Sequence, residues 1–215
     1  MCGIVGGYTK DIQPALPVLS HRGPDHAGSC SVGKISFGHT RLSILDLNPR
    51  SNQPFKYQDV VLVYNGELWN YLELKEELIT KGHSFTTMSD TEVVAVSLAE
   101  WGLDALSRFD GMFAIAWTLD GETLYLARDK FGEIPLHIAK QKPFLFSSEV
   151  KGLYALKAHP KSIDSIPSGH YAIVTENSME LTQYYRITIN RQSPRPEIAQ
   201  SQILSLLDRD WETVN

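Results

Sequence analysis

The sequence predicts an α+β fold: two antiparallel β-sheets in layers, with helices on their outer faces. Three observations carry this. Short strand-like runs outnumber helical ones and are separated by compact turns. Two of those turns, at Gly33 and at Asp120-Gly121, sit between alternating or apolar runs and read as hairpins. The run "VVLVYNGE" at 60–67 is almost continuously apolar at its start, the pattern of a strand buried on both faces.

Taken in order, "GIVGGY" (3–8) is a first strand of small and apolar residues. "QPALPVLSHRGPD" (13–25) is a short helix or turn-rich segment, with Pro14 placed as a first helical residue, ending at "RGPD". "SCSVGKISFGHTRLSILDL" (29–47) alternates around Gly33. After the 60–67 strand, "ELWNYLELKEELITKG" places Leu68, Leu72, Leu78 and Ile79 on one helical face and stops at Gly82. A second helix, "DTEVVAVSLAEWG", stops at Gly102. "GMFAIAWTLDGETLYLARD" (111–129) is the second hairpin. "LHIA", "FLFSS" and "GHYAIV" add strands, with a short helix "EVKGLYAL" between the last two. Residues 1–185 form the main domain. From 186 the chain turns polar and proline-bearing, as a linker does, and "IAQSQILSLLDRDWETVN" is a short amphipathic helix followed by a tail.

Composition narrows the class. A chain of 215 residues with 42% hydrophobic and 21% charged residues can bury a sizeable core. A formal net charge of −5, without a Lys/Arg block, argues against nucleic-acid or anionic-membrane surfaces. No apolar stretch reaches the roughly 18 residues of a membrane span, and no signal-peptide pattern opens the chain, so the expected location is cytoplasmic. Cys2 and Cys30 are too few for a disulfide framework, and the seven histidines lack metal-ligand spacing, so no metal site is expected.

Chemistry concentrates in a few stretches. Cys2 follows the initiator methionine. Once Met1 is removed, it would carry a thiol and a free α-amine, whose pKa of about 7.7–8.0 suits it to act as base for its own side chain. An ordinary buried cysteine at a strand start is the alternative. In "YNGELWNY", Asn-Gly is first a hairpin signal, but a helical pattern follows. Asn65 and Gly66 are therefore expected at a strand end, an amide and an unhindered N–H able to stabilise an oxyanion. In "MSDTEVVAV", Ser89 and Glu92 make a capping box. That leaves Asp90 free to accept hydrogen bonds from a ligand ammonium. Arg41, in "GHTRLSILD", is either a surface arginine or a fork for a carboxylate. In "HRGPDHAG", Arg22 and Asp25 are expected to pair locally as bracing.

The ordered set "MCGIVGG", "HRGPD", "GHTRLSILDL", "QP", "YNGELWNY" and "SDTE", followed by "DKFGEIPL", "FSSEVKGL" and "IPSGHYAIV", resembles the class II glutamine amidotransferase domain of asparagine synthetases. The resemblance runs from Met1 to about Tyr185, and "RGPD" with "RLSI" favours that branch over the sugar-phosphate and phosphoribosyl amidotransferases. It implies a four-layer αββα N-terminal-nucleophile sandwich. It also implies that Cys2 attacks the glutamine side-chain amide, with Asn65 and the Gly66 N–H as oxyanion hole. Arg41 would hold the α-carboxylate, and Glu67 and Asp90 the α-ammonium. The sequence departs from the family in its short, proline-bearing first helix, in His137 where an aromatic is usual, and in lacking a pyrophosphate loop of the "SGGLDS" kind.

The leading expectation is a glutaminase that supplies ammonia to a separate ATP-pyrophosphatase subunit of asparagine synthetase type. The chain itself would need no cofactor, with ATP and magnesium confined to that partner. The competing readings are a catalytically idle binding module or synthetase remnant, and a hydrolase of another amide.

Overall fold

The computed structural model describes residues 1–188 and 196–214, which fall into two units, 1–185 and 186–215. In the first unit, strands β1 (Gly3–Gly7), β2 (His26–Val32), β3 (Ile35–Arg41), β8 (His137–Ala139), β9 (Leu145–Ser147) and β10 (Ile163–Ser165) build one sheet, in the order β10-β8-β9-β1-β3-β2. Strands β4 (Phe55–Tyr57), β5 (Val60–Leu68), β6 (Gly111–Thr118), β7 (Leu124–Arg128), β11 (His170–Val174) and β12 (Met179–Gln183) build the other, in the order β12-β11-β7-β6-β5-β4. Every described pairing is antiparallel. Both hairpins form where the turn residues put them: β2–β3 turns at Gly33 (φ +54°) and β6–β7 at Gly121 (φ +72°).

The period-2 alternation of each strand sorts its side chains between two cores. From β5, Val61 and Val63 join Ile4, Phe37, Phe146, Ala114 and Leu126 between the sheets. Val60, Leu62 and Tyr64 face the opposite way, packing with α2 (Tyr71–Thr80), α3 (Asp90–Trp101) and α4 (Ala105–Arg108) through Leu74, Leu78, Val93, Val96 and Leu106. On the far face of the other sheet, Val5 meets Leu16 and Leu19 of α1 (Ala15–Leu19), and Leu145 meets Leu153 of α5 (Val150–Ala155). The layers are therefore helix, sheet, sheet, helix. The apolar run at 60–63 is explained by this double cover.

Local expectations shift in four places. Helix α2 begins only at Tyr71, because β5 continues through Leu68. Its buried face is consequently Leu74 and Leu78, while Leu72 and Ile79 are exposed. Strand β3 ends at Arg41 rather than running into "SILDL", which is loop. Pro14 precedes α1 as its cap residue instead of opening it. His137, on β8, fills the place of an aromatic while half-buried, with Nδ1 3.0 Å from Ser165 Oγ; burial and Arg128 lower its pKa.

In the second unit, residues 196–214 are helical as α6 (Pro196–Val214), longer than the short helix expected; Ile203, Leu204 and Leu207 on it are exposed. The polar stretch at 189–195 lies outside the described residues. No described helix is long and apolar enough to cross a membrane.

Candidate active site

The six residues singled out by the sequence converge. Cys2, Arg41, Asn65, Gly66, Glu67 and Asp90 line one cleft, together with Gln53, Tyr64 and Met112. The cleft lies where the start of β1 and the end of β3 meet β5, and the helix α3 presents its first residue. Met1 lines the same cleft.

Cys2 is a free, partly buried thiol just ahead of β1. Its Sγ accepts from the Leu42 N–H at 3.4 Å and approaches the Leu42 carbonyl at 3.7 Å. Burial pushes the thiol pKa up, against the pull of the Leu42 backbone. At neutral pH the group is a thiol and needs a base before it can attack.

Asn65 and Gly66 stand inside β5, three and two residues before its last, not at its end. Gly66 lies opposite Phe113 of β6. Phe113 spends both its main-chain groups on Asp129: its N–H reaches Oδ2 and its carbonyl accepts the Asp129 N–H. Gly66 and Phe113 are thus a non-hydrogen-bonded pair, and the Gly66 N–H points to the other edge of β5. On that edge the Tyr64 N–H reaches Gln53 Oε1 (2.6 Å) and the Leu68 N–H reaches Asp90 Oδ2 (3.2 Å). Strand β4 pairs only as far as Leu62, so it does not cover Gly66. A Cβ at Gly66 would lie 2.1 Å from the Met112 carbonyl, so glycine is required here for close strand approach as well.

Asn65 is 1% exposed, yet neither its Oδ1 nor its Nδ2 has a hydrogen-bond partner among the described residues. A buried amide left unpaired costs on the order of 1–3 kcal/mol. Such a group, lining a cleft, has its full hydrogen-bonding capacity open to whatever enters.

Asp90 opens α3 and is buried. Its Oδ2 accepts from the Tyr64 hydroxyl (2.8 Å) and from the Leu68 N–H, and its Oδ1 lies 3.5 Å from Ser89 Oγ. Burial raises its pKa to about 6, opposed by the Tyr64 and Leu68 hydrogen bonds and reinforced by Glu67. The reciprocal capping box does not form. Ser89 Oγ caps the Thr91 N–H, but Glu92 reaches back to the N–H and hydroxyl groups of Thr86 and Thr87. Those four donors outcompete the single Ser89 N–H, which goes to Thr87 Oγ1.

Arg41 is buried, and its two terminal nitrogens hold the loop that follows β3. Nη1 donates to the Asn48 carbonyl and Asn52 Oδ1, and Nη2 to the carbonyls of Leu45 and Asp46. Nε has no partner among the described residues. Arg22 and Asp25 do not pair, contrary to expectation. Arg22 Nε donates to the Cys2 carbonyl (2.8 Å) and Nη1 to Glu149 (2.9 Å), while Asp25 accepts from the Ser43 N–H.

The sequence singled out neither Gln53, Tyr64 nor His39, and it offered Arg22 only as bracing. Gln53 ties β5 to α3, donating to Thr91 Oγ1. His39 is fully buried against the Tyr64 main chain, and burial lowers its pKa to about 3. Only the "QP" pair hinted at Gln53; the others depend on chain segments far apart in sequence.

The glutamine amidotransferase domain model matches residues 1–189. The chain belongs to that family. Among curated proteins, this amidotransferase domain is 38% identical over 168 residues to asparagine synthetase [glutamine-hydrolyzing] 1 of Bacillus subtilis, covering 71% of the chain and 26% of the relative. It is 37% identical to asparagine synthetase 3 of the same organism, covering 74% and 28%. The chain thus spans about a quarter of the length of these relatives. Among solved structures, glutamine phosphoribosylpyrophosphate amidotransferase from B. subtilis superposes with a TM-score of 0.75 at 24% identity, over 89% of this chain and 50% of that one. This likeness concerns the fold, an α+β sandwich with two antiparallel sheets. The domain's sequence relatives place it in the asparagine synthetase type.

Proposed function

We propose that the domain hydrolyses glutamine to glutamate and ammonia, using Cys2 as an N-terminal nucleophile after removal of Met1. The observation that carries the reading is the buried, unpartnered Asn65 amide, next to an outward-facing Gly66 N–H in the cleft that holds Cys2. In the proposed cycle, the α-amine takes the thiol proton and Sγ attacks the side-chain carbonyl carbon. Asn65 Nδ2 and the Gly66 N–H stabilise the oxyanion. The proton passes to the departing nitrogen, the C–N bond breaks, and ammonia leaves a thioester. Water then attacks the thioester, releasing glutamate and restoring the thiol. Glu67 and Asp90 receive the α-ammonium, and Arg41 Nε–H the α-carboxylate. Two acids and one arginine suit an amino-acid head group better than another amide.

The ammonia would go to an ATP-dependent amidating unit of asparagine synthetase type, with aspartate as default acceptor; this unit would carry ATP and magnesium. The support is that the relatives are glutamine-hydrolyzing asparagine synthetases, together with the need to spare ammonia from diffusion. The test is glutamate release from glutamine by purified chain shown by intact mass to begin at Cys2, beside Cys2→Ala. Release lost in the variant is expected. No release from the processed chain, alone or with a synthetase unit, would overturn the proposal in favour of an idle module.

Head-group binding should depend on pH through Asp90. Its folded pKa of about 6 lies above the ordinary 3.8. The native chain therefore holds a proton that the unfolded chain has lost, and folding stability falls as pH rises through this window. Ligand affinity runs the other way, because an ammonium needs the carboxylate. Calorimetry of glutamine on Cys2→Ala should show about ten-fold weaker binding at pH 5 than at pH 7. Tyr64→Phe, lacking the hydroxyl that favours the ionised form, should move the midpoint upward. A flat affinity profile would remove Asp90 from the ammonium site.

A further inference from the structure

We propose that Glu149 is a positioning residue for the nucleophile, acting through Arg22 on the Cys2 main chain. This rests on the reading of Cys2 as nucleophile. Glu149 is the residue just before α5, and its side chain makes no cap bond to the helix. Its carboxylate turns instead to three basic side chains: Arg22 Nη1 and His21 Nε2 at 2.9 and 2.8 Å from Oε1, and Lys151 Nζ at 3.1 Å from Oε2. Burial alone would raise this carboxyl, but the Arg22, His21 and Lys151 hydrogen bonds outweigh it and hold it at about 2. Glu149 is charged throughout the working range, so this is a fixed anchor and not a switch.

The anchor is mounted rigidly beside β1. Ser148, its neighbour, donates its N–H to the Ile4 carbonyl (2.8 Å) and accepts the Ile4 N–H on Oγ (2.9 Å). Arg22 spans the gap, with one nitrogen on Glu149 and Nε on the Cys2 carbonyl. The described contacts give the arginine no other side-chain partner. Without Glu149, the guanidinium has nothing to fix its plane, and the Cys2 carbonyl loses its oriented donor. Misplacement of an attacking atom by about 1 Å can cost 10²-fold in rate.

The experiment measures Cys2 alkylation by iodoacetamide, which needs no glutamine pocket, together with kcat and KM for glutamate release. The variants are Glu149→Gln, Glu149→Asp, Arg22→Met and the double variant Glu149→Gln/Arg22→Met. Glu149→Gln should lower both alkylation rate and kcat about ten-fold, with KM within two-fold, because Arg41, Glu67 and Asp90 do not touch it. Glu149→Asp, shorter but still charged, should fall between, and it serves if the glutamine variant folds poorly. The double variant should lose no more than Arg22→Met alone, as expected of residues acting in series. Wild-type alkylation in both Glu149 variants, or additive losses in the double, would overturn the proposal. If the wild-type chain released no glutamate, the glutaminase reading would fail separately, since alkylation would still report on Glu149.

Discussion

Asn65→Ala is expected to lower glutamate release about 10²–10³-fold, the usual loss on removing one oxyanion donor. It should do so without lowering the thermal unfolding midpoint. The two outcomes share one cause. Asn65 is buried at 1% exposure with both polar atoms unpaired, so the free domain bears the desolvation cost of an amide that does nothing for its fold. Alanine removes that cost and leaves a small gap whose penalty is of similar size. A structural asparagine would behave oppositely, with stability falling and activity following it. Gly66→Ala gives the contrast: its Cβ would press on the Met112 carbonyl and the Phe113 main chain, so activity and stability should fall together. Paired thermal melts and glutamate assays separate the cases. A destabilised Asn65→Ala, or one retaining more than a tenth of the activity, would take Asn65 out of the oxyanion role.

The sequence made the architecture legible because strand alternation and glycine turns are local signals. Gly33 and Gly121 mark real hairpins, and Val60–Val63 announce burial on both faces. The site was legible as a list of residues, since Cys2, Arg41, Asn65, Gly66, Glu67 and Asp90 do share one cleft. Its wiring was not. Asn65 and Gly66 were expected at a strand end, yet β5 runs on to Leu68 because β6, distant in sequence, pairs with it as far as Gly111. Arg22 read as a partner for Asp25, three residues away. The actual partners are Cys2 and Glu149, separated from it by 20 and 127 residues. Local spacing cannot reveal a contact that only the pairing of β1 with β9 in one sheet creates. The capping box failed for a related reason: the motif fixes positions, but four hydroxyl and amide donors at Thr86 and Thr87 decide where Glu92 points.

A chain that keeps Met1 should release glutamate at less than about a thousandth of the rate of one that begins at Cys2, the scale expected when a nucleophile loses its base. Burial raises the Cys2 thiol, so little thiolate is present at neutral pH. Among the residues lining the cleft, Glu67 and Asp90 are committed by the proposed mechanism to the substrate ammonium, and Arg41 is a cation. His39 is no substitute, because its pKa near 3 makes it too weak a base. The amine of Cys2 itself is what remains, and it exists only after processing. Met1 also lines the cleft, so its removal clears space as well as creating the base. In the processed chain, kcat/KM should rise with pH through a midpoint near 7.7–8.0, the range of an α-amine. An N-terminal extension that blocks removal of Met1, verified by intact mass, supplies the comparison. Equal rates in the two forms would mean that another group deprotonates Cys2, and the N-terminal-nucleophile mechanism would have to be abandoned for this domain.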